Sequence, residues 1–354
     1  MFRNSMKKIL FSATTLVAVV SLVLAACSDD NDSESASSAD KPLIVVTTNI
    51  LGDVVTNMVG DSFNVETIMP PGSDPHDFQA SAQQVQTMME ADLLIVNGAN
   101  FEEGMLDVIE NTESDGVMIF EAISVVSQLE GSDDHGDHGG HDDHDEEKGH
   151  DDHDEEKGHD DHDDHEGHDD HEGHDHGGID PHFFTDPARM AVVAQELSEF
   201  LVANFPDADQ GFVSTANDYL RQLQDLDSEV EATLSVISSG ERLLVTNHAV
   251  FAYFADRYSF TVLGEIIPSS STLASASAQQ LANLAEEIKE NQVKAIFADA
   301  SSSDALAQTL ADEVAGVEVI NLYTESLGDP GSSGESYIDM VRFNAEAIAS
   351  ALVE

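Results

Sequence analysis

From residue 43 to the C-terminus, apolar positions alternate between short unbroken runs and helical spacings. Residues 43–48 are a continuous run of Leu, Ile, Val and Thr, which predicts a strand buried on both faces. A helical spacing over 51–59 follows, then a strand over 64–69 that runs into a Pro/Gly/Asp loop over 70–77. Helix is predicted over 80–90, with strands over 93–96 and 117–120. Further on, 187–204 reads as helix. A longer helix spans 212–237, where Val213, Ala216, Leu220, Leu223, Val230, Leu234 and Ile237 recur at helical intervals. Strands over 243–246, 261–263, 294–297 and 317–321, with helices between them, make a second series. Repeated β–α units predict an α/β chain with two lobes, each a mostly parallel sheet covered by helices. The long helix is the natural connection. The expected division is a first lobe over 43–208, a linker helix over 209–239 and a second lobe over 240–354.

Two segments break this alternation. Residues 131–178 contain no Ala, Val, Ile, Leu, Met or aromatic residue, so the segment has nothing to bury and is expected to be disordered without a ligand. It is also repetitive: HDDHDEEKG occupies 141–149 and again 150–158, then decays through HDDHDDHEG and HDDHEG. Between Asp133 and His176 lie 22 acids and 13 histidines. A solvated linker accounts for the acids. It does not account for the histidines, which add little solubility and in such tracts bind metal.

The second break is the N-terminus. Arg3, Lys7 and Lys8 precede an uncharged apolar run from Ile9 to Ala26, the form of a secretory signal. The run ends Leu24-Ala25-Ala26-Cys27, which resembles the lipobox of bacterial lipoproteins. That likeness implies removal of residues 1–26 and acylation of Cys27, with 27–42 as a flexible tether from a membrane to the folded chain. The expected location is extracytoplasmic and lipid-anchored.

Charge narrows the partners. Seventy Asp and Glu against 13 Lys and Arg give a formal net charge of −57. Nucleic acid is excluded as a partner, because phosphate binding needs clustered cations. Cations and small molecules remain. Cys27 is the only cysteine, so intramolecular disulfides, Cys-based zinc sites and thiol redox pairs are excluded together.

Outside the repetitive segment the chain has three histidines: His76 in Pro-Gly-Ser-Asp-Pro-His, His182 in Asp-Pro-His-Phe and His248 in Val-Thr-Asn-His. His76 and His248 follow strands, where open α/β sheets bind their ligands, and His182 directly follows the acidic segment. Three imidazoles brought there from distant segments can converge on one ion. Tetrahedral zinc then wants a fourth donor, often a carboxylate. Asp299 and Glu325 both follow later strands, and position alone does not choose between them.

These residues carry a family likeness. Asp-Pro-His at 74–76, Asp-Pro-His-Phe at 180–183, His-Ala-Val-Phe-Ala-Tyr-Phe at 248–254 and Tyr-Thr-Glu-Ser-Leu-Gly at 323–328 occur in this order, followed by Gly-Glu-Ser-Tyr at 334–337. Together they resemble the zinc/manganese-binding lipoproteins of bacterial ABC importers, the ZnuA-like class, over roughly residues 43–354. The resemblance implies two α/β lobes joined by a rigid long helix, with the metal in the cleft between them. It implies His76, His182 and His248 as ligands and places the fourth on Glu325, where the family usually has Asp; Asp299 is the second choice. It further implies a membrane permease with a separate ATPase subunit, and this chain indeed carries no Walker A phosphate loop. The expected assembly is a monomer.

Within the class, His at the third position and a His-rich insert both point to Zn²⁺ over Mn²⁺, because imidazole suits zinc and oxygen donors suit manganese. Three other readings compete: a manganese-specific member, a zinc buffer or surface adhesin in which the insert matters more than the cleft, and a secreted zinc hydrolase. The last lacks a His-Glu-x-x-His motif. The chain is expected not to be an enzyme.

Overall fold

The computed structural model describes residues 41–131 and 178–353. The signal, Cys27 and most of the tether expected over 1–42 lie outside the described residues, as does the expected insert apart from its end residues Gly131 and Gly178.

Two four-stranded parallel sheets organise the described residues. The first holds β1 (Leu43–Val46), β2 (Asn64–Thr67), β3 (Leu93–Val96) and β4 (Met118–Glu121) in the order β2-β1-β3-β4. The second holds β5 (Leu243–His248), β6 (Thr261–Ile267), β7 (Ala295–Asp299) and β8 (Glu318–Leu322) in the order β6-β5-β7-β8. The central strands β1 and β3 are almost wholly buried, as their unbroken apolar runs require.

Helices α1 (Asn49–Val59), α2 (Ala82–Met89), α3 (Leu106–Ser114) and α4 (Pro187–Asn204) belong to the first half. Helices α6 (Ala252–Tyr258), α7 (Ala278–Asn291), α8 (Ala305–Glu313) and α9 (Tyr337–Val353) belong to the second. Their starts follow local chemistry. Ser81 and Ser277 form capping boxes with Gln84 and Gln280. Asp186 caps α4, whose first residue is Pro187. The sequence reading did not foresee α3. Its composition is mostly polar, its one buried residue is Thr112, and only Val108 and Ile109 lean on the core.

Between the halves runs α5 (Phe212–Leu234), 23 residues and so about 35 Å long. Its buried stripe of Phe212, Ala216, Tyr219, Leu223, Leu226, Val230 and Leu234 packs on α1 and α4 from one half and α9 from the other. One continuous apolar core therefore reaches from Ile44 through α5 to Leu352. Each sheet buries its other face in a smaller cluster, around Val45 and Leu94 in one and Val245 and Ile296 in the other. Among the described residues no helix is long and apolar enough to cross a membrane.

Candidate metal site

His76 lies on the loop after β2, fixed by its neighbour two residues back: the Asp74 carboxylate accepts from the His76 backbone N–H at 2.9 Å. Asp180 does the same for His182 at 2.9 Å. The Asp-Pro-His triplet is thus a turn device, with Asp accepting locally and Pro restricting the chain between. His248 is the last residue of β5, and Glu325 lies just beyond β8.

All four side chains meet. Nε2 of His76, His182 and His248 lie 2.8, 3.3 and 2.9 Å from the same atom, Oε1 of Glu325. One donor atom from each of the four residues falls within 4.8 Å of all the others. A tetrahedral ion with bonds of about 2.0–2.1 Å holds its donors about 3.3 Å apart, so the set can close on one divalent cation by drawing its widest donors together by up to about 1.5 Å. Each of the four residues is at most 2% exposed. Phe101 and Phe184 complete the walls, with Phe101 edge-on to both His76 and His182 at 5.1 and 5.5 Å.

The outer ring nitrogens differ. His76 Nδ1 faces Glu103 Oε1 at 3.0 Å, and His182 Nδ1 faces Asp180 Oδ1 at 2.8 Å. A carboxylate at that position fixes the tautomer and leaves Nε2 aimed at the ion. His248 Nδ1 and Glu325 Oε2 are buried and have no hydrogen-bond partner among the described residues. An orphaned buried carboxylate oxygen is costly unless a cation satisfies it, so the donor set fits a metal better than it fits its own hydrogen bonds.

Burial alone would push the His76 imidazole down, but hydrogen bonds to Glu103 and Glu325 and their charges reverse this and raise it to about 10. His182 is raised too, with burial opposed by the charge and hydrogen bond of Asp180 and then by Glu325. Burial alone would raise Glu325; the His248 charge and the three imidazole hydrogen bonds hold it well below the usual carboxylate range.

Asp299, the second choice for the fourth donor, is not in the cluster. Its Oδ1 accepts from the Ser301 backbone N–H at 2.6 Å and from the Ser301 hydroxyl, and its Oδ2 accepts from the Thr324 hydroxyl. Burial, then the Glu325 charge, raises its carboxyl to about 6. It holds the side chain of Thr324, the residue before Glu325. Sequence reasoning missed two acids that shape the site, Glu102 and Glu103. Glu102 is buried and accepts from Thr47 Oγ1 at 2.6 Å and Asn97 N at 2.7 Å, tying together the ends of β1 and β3. Among 70 acids, no sequence signal marks either one.

A cavity of about 710 Å³ opens over His76, with Glu103, Ser270 and Leu273 in its wall. Gly131 and Gly178, where the repetitive segment leaves and returns, line the same cavity.

Comparison with known proteins follows the same pattern. The sequence signature of the ZnuA family, described as zinc-uptake complex component A, periplasmic, matches residues 44–351. The manganese-binding lipoprotein MntA of Halalkalibacterium halodurans is 25% identical, over 98% of this chain and 99% of its own length. The zinc-binding lipoprotein AdcA of Streptococcus pneumoniae is 29% identical, over 97% of this chain and 60% of its own length. Among solved structures, the periplasmic zinc binding protein TroA of Treponema pallidum superposes with a TM-score of 0.71 at 25% identity, covering 89% of this chain and 100% of that one. The Mn-bound periplasmic metal binding protein of Candidatus Liberibacter asiaticus shares the fold, with a TM-score of 0.68 at 19% identity, covering 88% and 100%.

Proposed function

The chain belongs to the ZnuA family of metal-uptake components, and we propose that within it this protein captures Zn²⁺ outside the cytoplasmic membrane and passes it to an ABC-type permease. It is a substrate-binding component of a metal importer, not an enzyme. The ion is cargo, held by His76, His182, His248 and Glu325. The observation that carries this reading is the convergence of three buried Nε2 atoms on one carboxylate oxygen.

Three imidazole nitrogens and one carboxylate suit borderline-soft zinc, whereas manganese favours oxygen donors. Four protein donors fill a tetrahedron and leave no position for a reacting water, which a zinc hydrolase would need. The permease and its ATPase are separate chains in this reading. A lipid on Cys27 holds the protein at the membrane, in keeping with the lipoprotein names of its relatives. Those relatives also favour a second reading, since several are named for manganese. Equilibrium competition between Zn²⁺ and Mn²⁺ at matched free concentrations separates the two. The expected result is one tight zinc per molecule. Glu325→Gln, which keeps shape and removes charge, should weaken it at least about tenfold, or 1.4 kcal/mol. Asp299→Asn should weaken it less. A preference for manganese would overturn the zinc assignment, and the reverse ranking of the two variants would overturn Glu325 as the fourth donor.

A further inference from the structure

Glu325 belongs to the second lobe, yet the loop that carries it is fastened to the first. The fastener is Asn49, the first residue of α1, which is buried. Its Nδ2 donates to Ser326 Oγ at 2.8 Å and to the Pro70 carbonyl at 3.0 Å, while its Oδ1 accepts from the Leu327 backbone N–H at 2.8 Å. Gly72 adds to the same knot: its N–H lies 2.8 Å from Ser326 Oγ and 3.1 Å from the Leu327 carbonyl. Gly72 reaches this position with φ of +76°, a conformation that side chains disfavour.

The residues tied together flank the metal donors. Pro70 and Gly72 lie on the loop that leads to His76; Ser326 and Leu327 directly follow Glu325. One side-chain amide spans them because it offers a donor and an acceptor side by side on one carbon, which neither a carboxylate nor an apolar side chain of that size does. We propose that Asn49 is a positioning residue for metal retention: its amide clasps the Glu325 loop onto the His76 loop, and the ion leaves when this clasp parts. The inference rests on the reading of Glu325 as the fourth donor.

The clasp supplies no ligand, and α1 has its own cap in Thr48, whose side chain accepts from Leu51 N. Loss of the amide should therefore act on how long the ion stays. The test is stopped-flow release of Zn²⁺ into excess chelator from the full chain and its variants. Asn49→Ala should release zinc about tenfold faster, a change within reach of two buried hydrogen bonds. Ser326→Ala should also release faster. The double variant should release more slowly than the product of the two effects, because both remove the same Asn49–Ser326 bond.

If Asn49→Ala melts below the assay temperature, Asn49→Asp carries the measurement: it keeps the acceptor for Leu327 and loses the donor. Release from the Asn49 variant at the wild-type rate, or full multiplicativity with Ser326→Ala, would overturn the clasp. Glu325→Gln in the same assay separates the two failures. If it binds zinc like wild type, the site reading and the clasp fall together. If it weakens binding and the Asn49 variant releases normally, the clasp alone falls.

Discussion

The two sheets share one strand order, with β2-β1-β3-β4 answered by β6-β5-β7-β8, yet they present their donors in different ways. The first lobe supplies two histidines from loops, and each is held from behind by a carboxylate: Glu103 on His76, Asp180 on His182. The second supplies His248 from the end of a strand, with no hydrogen bond to its outer nitrogen among the described residues, and Glu325 from a loop. A strand end is already rigid, so the ladder and the surrounding core orient His248. A loop is not rigid, and there a polar partner must do the orienting. Repeating a fold therefore does not repeat a site. The first lobe fixes its donors electrostatically and the second fixes one of them by packing.

The electrostatic half should dominate the response to pH. Zinc must displace the protons that the first-lobe imidazoles hold, and His76 holds its proton up to about pH 10. Apparent zinc affinity should therefore fall about tenfold per pH unit for each proton displaced, or at least about a hundredfold from pH 8 to pH 6. Metal-free stability runs the other way. A raised imidazole contributes stability that is complete below its ordinary value of 6.5 and is lost as pH rises towards about 10. The depressed Glu325 carboxyl contributes stability present above its ordinary 4.5 and lost as pH falls below that. The melting-temperature gap between metal-free wild type and metal-free His76→Gln should thus be widest between pH 4.5 and 6.5 and should close towards pH 10. Calorimetry in buffers of different ionisation enthalpy counts the protons. Zinc binding at pH 7.5 with no proton release would mean that the carboxylates do not load these imidazoles.

A smaller effect tests the two carboxylates against each other. Asp180 is nearly buried, whereas the Glu103 side chain is 31% exposed and is partly screened by water. Loss of such a partner usually costs 10–100-fold in metal affinity. Asp180→Asn should fall in that range, and Glu103→Gln at or below its lower end. Equal losses in matched titrations would show that burial does not set the strength of these supports.

The sequence made much of this readable, for physical reasons that differ by element. Runs such as Leu93–Val96 have one reading because a strand buried on both faces admits few polar residues. The helix over Pro187–Asn204 carries its start in Asp186 and Pro187. The three histidines stood out because the sequence has no others outside the repetitive segment. Glu103 and Asn49 were not legible. Each acts across the fold, Glu103 on a residue 27 positions away and Asn49 on one 277 away. Neither local pattern nor composition distinguishes them from ordinary surface polar residues. The α3 helix was missed for the opposite reason, since little of it needs burial.

The smallest effect on the tight site should come from the largest deletion. Glu130 pairs with Ile179 as an isolated antiparallel bridge, and the Gly131 N–H donates to the Gly178 carbonyl at 2.9 Å. The two ends of the His-rich segment are therefore already spaced like the strands of a hairpin, and a two-residue Asn-Gly turn can join them in place of residues 132–177. That exchange removes 13 histidines and 22 acids while touching none of the four clustered donors. Calorimetric titration of the shortened chain should lose the many weak zinc equivalents and keep one tight site, with affinity within about twofold of wild type. His182→Ala should do the reverse, sparing the weak equivalents and removing the tight one. The cavity beside Gly131 and Gly178 opens over His76, yet the equilibrium constant should not move, because the donors in the cleft are unchanged. Disappearance of the tight site from the shortened chain would place that site in the repeats and remove the cleft from the argument.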